Sequence, residues 1–224
     1  MDADPEQTLA SRIDHTLLRP EAGPADIERL CAEAVTHGFR AVCVNPAHVQ
    51  RAAGCLAGSS VLVACVAGFP LGANLPEVLA LEATRAVGLG AEELDMVLPV
   101  WALRCGDDAA VLAHLTAACA PGVPVKAILE TGLLTDDEKR RACALCVRGG
   151  AAFVKTCTGF GPGRATAADV RLLRAAAPGL GVKASGGIAD RAAALELLAA
   201  GADVLGCSRS VAIVTGAAEG DAHV

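Results

Sequence analysis

The chain has 224 residues, 53% of them hydrophobic, and a formal net charge of -6. That length suits one large domain with a sizeable core, and the acidic balance excludes a general polyanion-binding surface. Four Phe, one Trp and no Tyr leave no stacking platform for single-stranded nucleic acid.

In chain order, the N-terminal "MDADPEQTLA" is acidic and lacks the basic start and apolar core of a signal peptide. A soluble, cytoplasmic protein is expected, with residues 1–8 as a loose end. "IDHTLL" (13–18) reads as the first strand, and "PADIERLCAEAVTHG" as a helix ending at Gly38. "FRAVCV" (39–44) and "VLVACV" (61–66) are the next strands. Residues 52–76 carry no charge, but Gly, Ser, Pro and Asn interrupt them, so they suit a buried strand rather than a bilayer-spanning helix. "ELDMVL" (93–98) follows Gly90, and "PVKAIL" (124–129) comes next. "EKRRACALCVRGG" looks helical and ends at Gly149. It carries Cys143 and Cys146 on one face, a lone CxxC without the further ligands that a zinc site needs. Like most of the ten cysteines, these read as small core residues. "AFVKT" (152–156), "GVKAS" (181–185) and "DVLGC" (203–207) complete the strands. The helical "ADRAAALELLAAG" ends at Gly201 before the last of them, and 216–224 is a second expected loose end.

Eight apolar runs, starting about 20 to 30 residues apart and separated by helical segments, predict βαβ units and a parallel sheet. The strands are apolar on both faces, as strands covered by helices must be. Eight such units fit an α/β single (β/α)8 TIM barrel spanning residues 1–224 as one domain. A doubly wound open sheet is the alternative, but no GxGxxG follows the first strand.

Lysine usage carries the chemistry. The chain has 15 arginines and four lysines, and three of the four interrupt apolar strands: Lys126, Lys155 and Lys183. Lys139 sits in the charged "TDDEKRR" and reads as surface. The three buried lysines fall on consecutive strands, and neighbouring parallel strands lie about 4.8 Å apart. Two ammonium groups at about 6 Å repel by roughly 3 kcal/mol at an effective dielectric near 20, on the order of two pKa units. Desolvation acts in the same direction. A partly neutral lysine attacks a carbonyl to give a Schiff base, a part closed to arginine, which stays protonated. The competing explanation is that these lysines snorkel from strand ends or pair with carboxylates. Asp95, alone inside an apolar strand, is the candidate acid/base and a candidate partner for Lys183 or Lys126. Asp14, with Thr16 two residues along on the same strand face, is a second such carboxylate, though a helix or turn cap explains it equally.

Glycine-rich turns follow three late strands: "TGFGPG" (158–163), "SGGI" (185–188) and "GCSRS" (206–210). Backbone N–H groups in such turns suit a phosphate, so the three together point to a phosphorylated carbonyl compound.

These residues resemble the deoxyribose-phosphate aldolase family of class I aldolases. The resemblance covers about residues 11 to 215. It rests on "IDHTLLRP", "AVCVNP", "ELDMVLPV", "VKAILETG", "FVKTCTGFGPGRAT", "VKASGGI" and "GADVLGCSRSVAIV", in that order. It implies reversible cleavage of 2-deoxy-D-ribose 5-phosphate to D-glyceraldehyde 3-phosphate and acetaldehyde, in deoxyribose phosphate catabolism. It further implies Lys155 as the Schiff-base lysine, Lys183 as the second lysine that lowers its pKa, and Asp95 as acid/base working with a bound water. Asp14 and Thr16 would place the sugar hydroxyls, and Lys126 and Thr156 would contact the substrate. Gly159, Gly186, Gly187, Ser208 and Arg209 would line the phosphate site. No metal or other cofactor, nucleic acid or membrane partner is implied, and a homodimer or larger assembly is expected. Two departures bear on the site: Cys157 replaces a serine usual in "KTSTG", and Arg209 replaces the second of two paired serines. The tyrosine of a C-terminal tail that assists proton transfer in some members has no counterpart here. Two other readings stand beside this one: another Schiff-base lyase or transaldolase-like enzyme for a different sugar phosphate, and a non-catalytic phosphosugar-binding barrel.

Overall fold

A computed structural model of the chain describes residues 9–216. Eight parallel strands close in sequence order: β1 Ile13–Leu17, β2 Ala41–Val44, β3 Leu62–Ala67, β4 Glu93–Val97, β5 Val125–Ile128, β6 Phe153–Lys155, β7 Gly181–Ser185 and β8 Val204–Cys207. Pairing of β8 with β1 closes the barrel, which removes the open-sheet alternative. Each expected strand is present and differs by at most two residues at either end. The expected loose ends lie outside the described residues, save Gly216, which ends the last helix.

The helices are α1 Pro24–His37, α2 Val49–Cys55, α3 Pro76–Gly88, α4 Val100–Cys105, α5 Asp108–Cys119, α6 Asp136–Arg148, α7 Ala167–Ala176, α8 Arg191–Ala199 and α9 Ser210–Thr215. In α1, Ile27, Leu30, Cys31 and Ala34 recur every three or four residues and form the buried stripe. Proline opens the helix and Gly38, left-handed at φ 66°, ends it. Gly149 ends α6 as expected. It is right-handed at φ -84°, and Gly150 makes the left-handed turn at φ 79°. Contact explains this glycine: a Cβ there would lie 2.7 Å from the Leu115 side chain. Cys143 and Cys146 are buried on α6, where burial pushes the Cys143 thiol up to about 12. Among the described residues no helix is long and apolar enough to cross a membrane.

Period-two alternation sorts each strand into two environments. Outward residues such as Val42, Val63, Leu94, Met96, Val154 and Leu205 join one continuous core with the helices. Inward residues divide the lumen. Cys43, Ala64 and Val66 form a separate small apolar cluster with Leu18 and Phe69. Opposite them, Asp14, Glu93, Asp95, Lys126, Lys155 and Lys183 are all buried.

Space for the lysines comes from a missing side chain. A Cβ on Gly206 of β8 would stand 2.9 Å from Ser185 Cβ and 3.0 Å from Lys183 Cε. We expect Gly206→Ala to destabilise the fold by about 1–3 kcal/mol through overpacking, read as a lower denaturant midpoint. An unchanged midpoint would show that Lys183 has room to move aside.

Candidate active site

Strand register builds the site. Lys155 on β6 is aligned with Lys183 on β7, and Asp95 on β4 with Lys126 on β5. All four side chains turn inward and converge on the Asp95 carboxylate. Its Oδ2 accepts from Lys155 Nζ and Lys183 Nζ, each at 2.7 Å, and its Oδ1 accepts from Lys126 Nζ at 2.9 Å. The two amines expected to be neighbours therefore share one oxygen.

The charges continue below this layer. Lys183 also donates to Asp14 Oδ2 at 2.5 Å, and Lys126 to Glu93 Oε2 at 2.6 Å. The Arg40 guanidinium bridges Asp14 Oδ1 at 2.8 Å and both oxygens of Glu93. The cluster thus contains four basic groups, Arg40, Lys126, Lys155 and Lys183, against three carboxylates, Asp14, Glu93 and Asp95. Lys126 pairs with all three carboxylates and Arg40 and Lys183 with two each, whereas Lys155 pairs with one. Arg40 is partly exposed, but the three lysines are buried, and a buried cation without its own carboxylate is costly. The proton most easily given up is the one on the least-paired amine.

The titration directions agree with this count. Burial, followed by the Lys183 ammonium, pulls Lys155 below its ordinary value, against the attraction of Asp95. Burial opposes the charge on Lys183 too, but Asp14 and Asp95 outweigh it and hold that amine protonated far above its ordinary value. Burial likewise works against ionisation of Asp95, yet Lys126, Lys155 and Lys183 together keep it well below the usual carboxylate range. Asp14 is held down to about 2, with Lys183, Lys126 and Arg40 overcoming its burial. Repulsion between the two lysines is therefore real, but it ranks second to desolvation.

Access separates the amines further. The Lys155 side chain is 3% exposed, while Lys126 and Lys183 are 0% exposed. A carbonyl entering at the strand ends meets Lys155 first.

Several expected contacts take a different form. The Lys126 amine is buried and bonded to Glu93 and Asp95. Asp14 has both oxygens engaged by Arg40 and Lys183, beneath the amines rather than facing the mouth. Thr16 is half-buried and donates to the Asp14 carbonyl at 2.9 Å. Thr156 is fully buried; its hydroxyl donates to Ser185 O at 2.8 Å and accepts from Ser185 N at 2.9 Å. It fastens the ends of β6 and β7 together.

The glycine turns gather at the same end. Gly159, Gly186 and Gly187 have φ of 86°, 100° and 71°, all left-handed. A Cβ on Gly159 would lie 3.9 Å from Gly186 Cα, so the turns after β6 and β7 nearly touch. Ser185 is aligned with Gly206, which puts exposed Ser208 and partly exposed Arg209 just past the neighbouring strand end. Two members of the charge cluster, Arg40 and Glu93, escaped the sequence reading. Both carried a usable signal: Arg40 is a charge at the head of "RAVCV", and Glu93 shares the inward face of "ELDMV" with Asp95.

The chain is similar to named proteins in both sequence and fold. No protein-family model matches this sequence. It is 48% identical over 212 residues to deoxyribose-phosphate aldolase 1 of Bacillus licheniformis, covering 93% of this chain and 95% of that one. It is 50% identical over 208 residues to the deoxyribose-phosphate aldolase of Brevibacillus brevis, covering 92% and 94%. Its fold matches the solved tetrameric deoxyribose phosphate aldolase of Aeropyrum pernix with a TM-score of 0.86 at 35% identity, over 93% of this chain and 90% of that one. The chain belongs to the deoxyribose-phosphate aldolase family.

Proposed function

We propose that the chain performs its family's reversible cleavage of 2-deoxy-D-ribose 5-phosphate through a Schiff base on Lys155. The observation that carries this reading is that Lys155 is the one buried amine with a single carboxylate partner and an opening to the mouth. Neutral Lys155 adds to the C1 aldehyde of the open-chain sugar and water leaves, giving an iminium. The C2–C3 bond then breaks as the C3 hydroxyl loses its proton. Its electron pair flows into the iminium, so no metal is required as an electron sink. D-glyceraldehyde 3-phosphate departs, and the remaining two-carbon enamine is protonated at C2 and hydrolysed to acetaldehyde.

Asp95, ionised and beside Lys155, is the proton acceptor in this scheme. Its acid role is limited to returning a proton that it has first taken. The Lys183 ammonium keeps Lys155 neutral and stabilises Asp95 as an anion. Arg40, Lys126, Asp14 and Glu93 hold the charges in place below. Gly159, Gly186, Gly187, Ser208 and Arg209 receive the phosphate, with backbone N–H groups and one guanidinium as donors. The catalytic unit is a single domain, acts in the cytoplasm and assembles at least as a homodimer.

Borohydride reduction in the presence of acetaldehyde should fix a two-carbon adduct on Lys155, found by peptide mass mapping and lost in Lys155→Leu. An adduct on Lys183 or Lys126 would overturn the assignment.

Lys183→Leu leaves three basic groups facing three carboxylates, so Lys155 keeps its proton. The neutral amine is lost as pH falls through the folded pKa of Lys155. The acid limb of the rate profile should therefore move up by about two pH units, with up to roughly a hundredfold loss along that limb and partial recovery in alkali. An unmoved limb contradicts the charge count.

Asp95→Asn should lower kcat by about 10²–10⁴ while Lys155 is still trapped by borohydride. Loss of trapping together with turnover would make Asp95 necessary for amine reactivity itself.

A further inference from the structure

We infer that Glu130 is a positioning residue that fixes the turn after β6 over the mouth of the barrel, an inference that rests on the phosphate reading of that turn. Glu130 lies two residues beyond β5 and is the only non-glycine residue with positive φ among those described, at φ 56° and ψ 62°. L-residues with longer side chains rarely adopt that conformation, and such outliers gather where surrounding structure demands them. Here the demand comes from the side chain.

Its carboxylate is buried and reaches across to Thr158. Oε2 accepts from the Thr158 hydroxyl at 2.5 Å and from Thr158 N at 3.3 Å. With its proton directed at Glu130, the Thr158 oxygen is left to accept from Phe160 N at 3.0 Å and Gly161 N at 3.3 Å. One carboxylate thereby orders a turn of four residues. The fit is close: a Cβ on Gly161 would lie 2.8 Å from Glu130 Cδ, so the turn is packed on the acid itself. Among the described residues the other oxygen, Oε1, is buried without a hydrogen-bond partner. An acid kept buried, strained and half-satisfied is costly for stability alone, which argues for a role in the turn that it holds.

That turn contains Gly159, which nearly touches Gly186 of the next loop. It also presents Phe160, whose ring meets the edge of Phe69 at 5.2 Å and 86°. Phe69 comes from the loop after β3. The Glu130–Thr158 tie therefore joins the loops after β5 and β6, and through the ring pair it sets the β6 loop against the one after β3.

The test uses the full chain with Glu130→Ala, and Thr158→Val as a second variant that keeps the acid and removes the hydroxyl. Hydrogen exchange of amides 158–161 and 163 is followed alongside kcat/KM for deoxyribose 5-phosphate and for unphosphorylated deoxyribose. We expect both variants to speed exchange in the turn at least tenfold and to cut the preference for the phosphorylated sugar about tenfold, chiefly through KM. Glu130→Gln, which retains an acceptor for Thr158, should restore most of both. Exchange unaltered in both variants overturns the inference. Faster exchange with the phosphate preference intact upholds the tie and instead removes the phosphate role of the turn.

Discussion

An excess of one basic group over the available carboxylates, enclosed in a dry barrel, governs this molecule. Arg40, Lys126, Lys155 and Lys183 face Asp14, Glu93 and Asp95 through contacts mostly between 2.5 and 2.9 Å. Full protonation would leave a net positive charge in a cluster that reaches solvent mainly through Arg40. Each unit of pKa displacement corresponds to about 1.4 kcal/mol, so even a modest imbalance selects which amine is neutral. Pair repulsion between Lys155 and Lys183 is one part of this. Burial and unequal partnering decide that Lys155, and not its neighbour, loses the proton.

The barrel makes such a cluster possible. Parallel register brings Lys155 beside Lys183 and Asp95 beside Lys126 without any special loop. The rest of the lumen is filled with small or apolar side chains, Cys43, Ala64 and Val66, so water has little room to screen the charges. Gly206 yields the space in which the Lys183 chain lies. Chemistry and stability are therefore drawn from the same inward positions, and the loops are left to determine which substrate enters. Glu130 acts on the loops, since it sits just past a strand end and its strained backbone shapes a neighbouring turn.

Most of this architecture was legible in the residues. Hydrophobic runs separated by helical segments located every strand, because a parallel barrel needs uninterrupted apolar strands. A lysine in such a run stands out, and so do Asp14 and Asp95. What could not be read was the partnering. Sequence spacing does not reveal that Asp14 turns to Lys183 or that Lys126 is closed off by Glu93, since those contacts depend on barrel stagger. Thr156 was expected at the substrate from the family resemblance alone, and its bonds to the Ser185 backbone could not be read from spacing. Glu130 was invisible for the same reason: a left-handed glutamate has no compositional signature, and its partner lies 28 residues away.

With only four lysines in the chain, the central claim is open to direct titration by NMR on protein labelled with ¹³C at lysine Cε. We predict that Lys155 loses its proton below the 10.5 of a free lysine, while Lys183 stays protonated throughout the range in which the protein is folded. A Lys155 signal titrating like that of a solvent-exposed side chain, or a Lys183 signal that moves first, would contradict it.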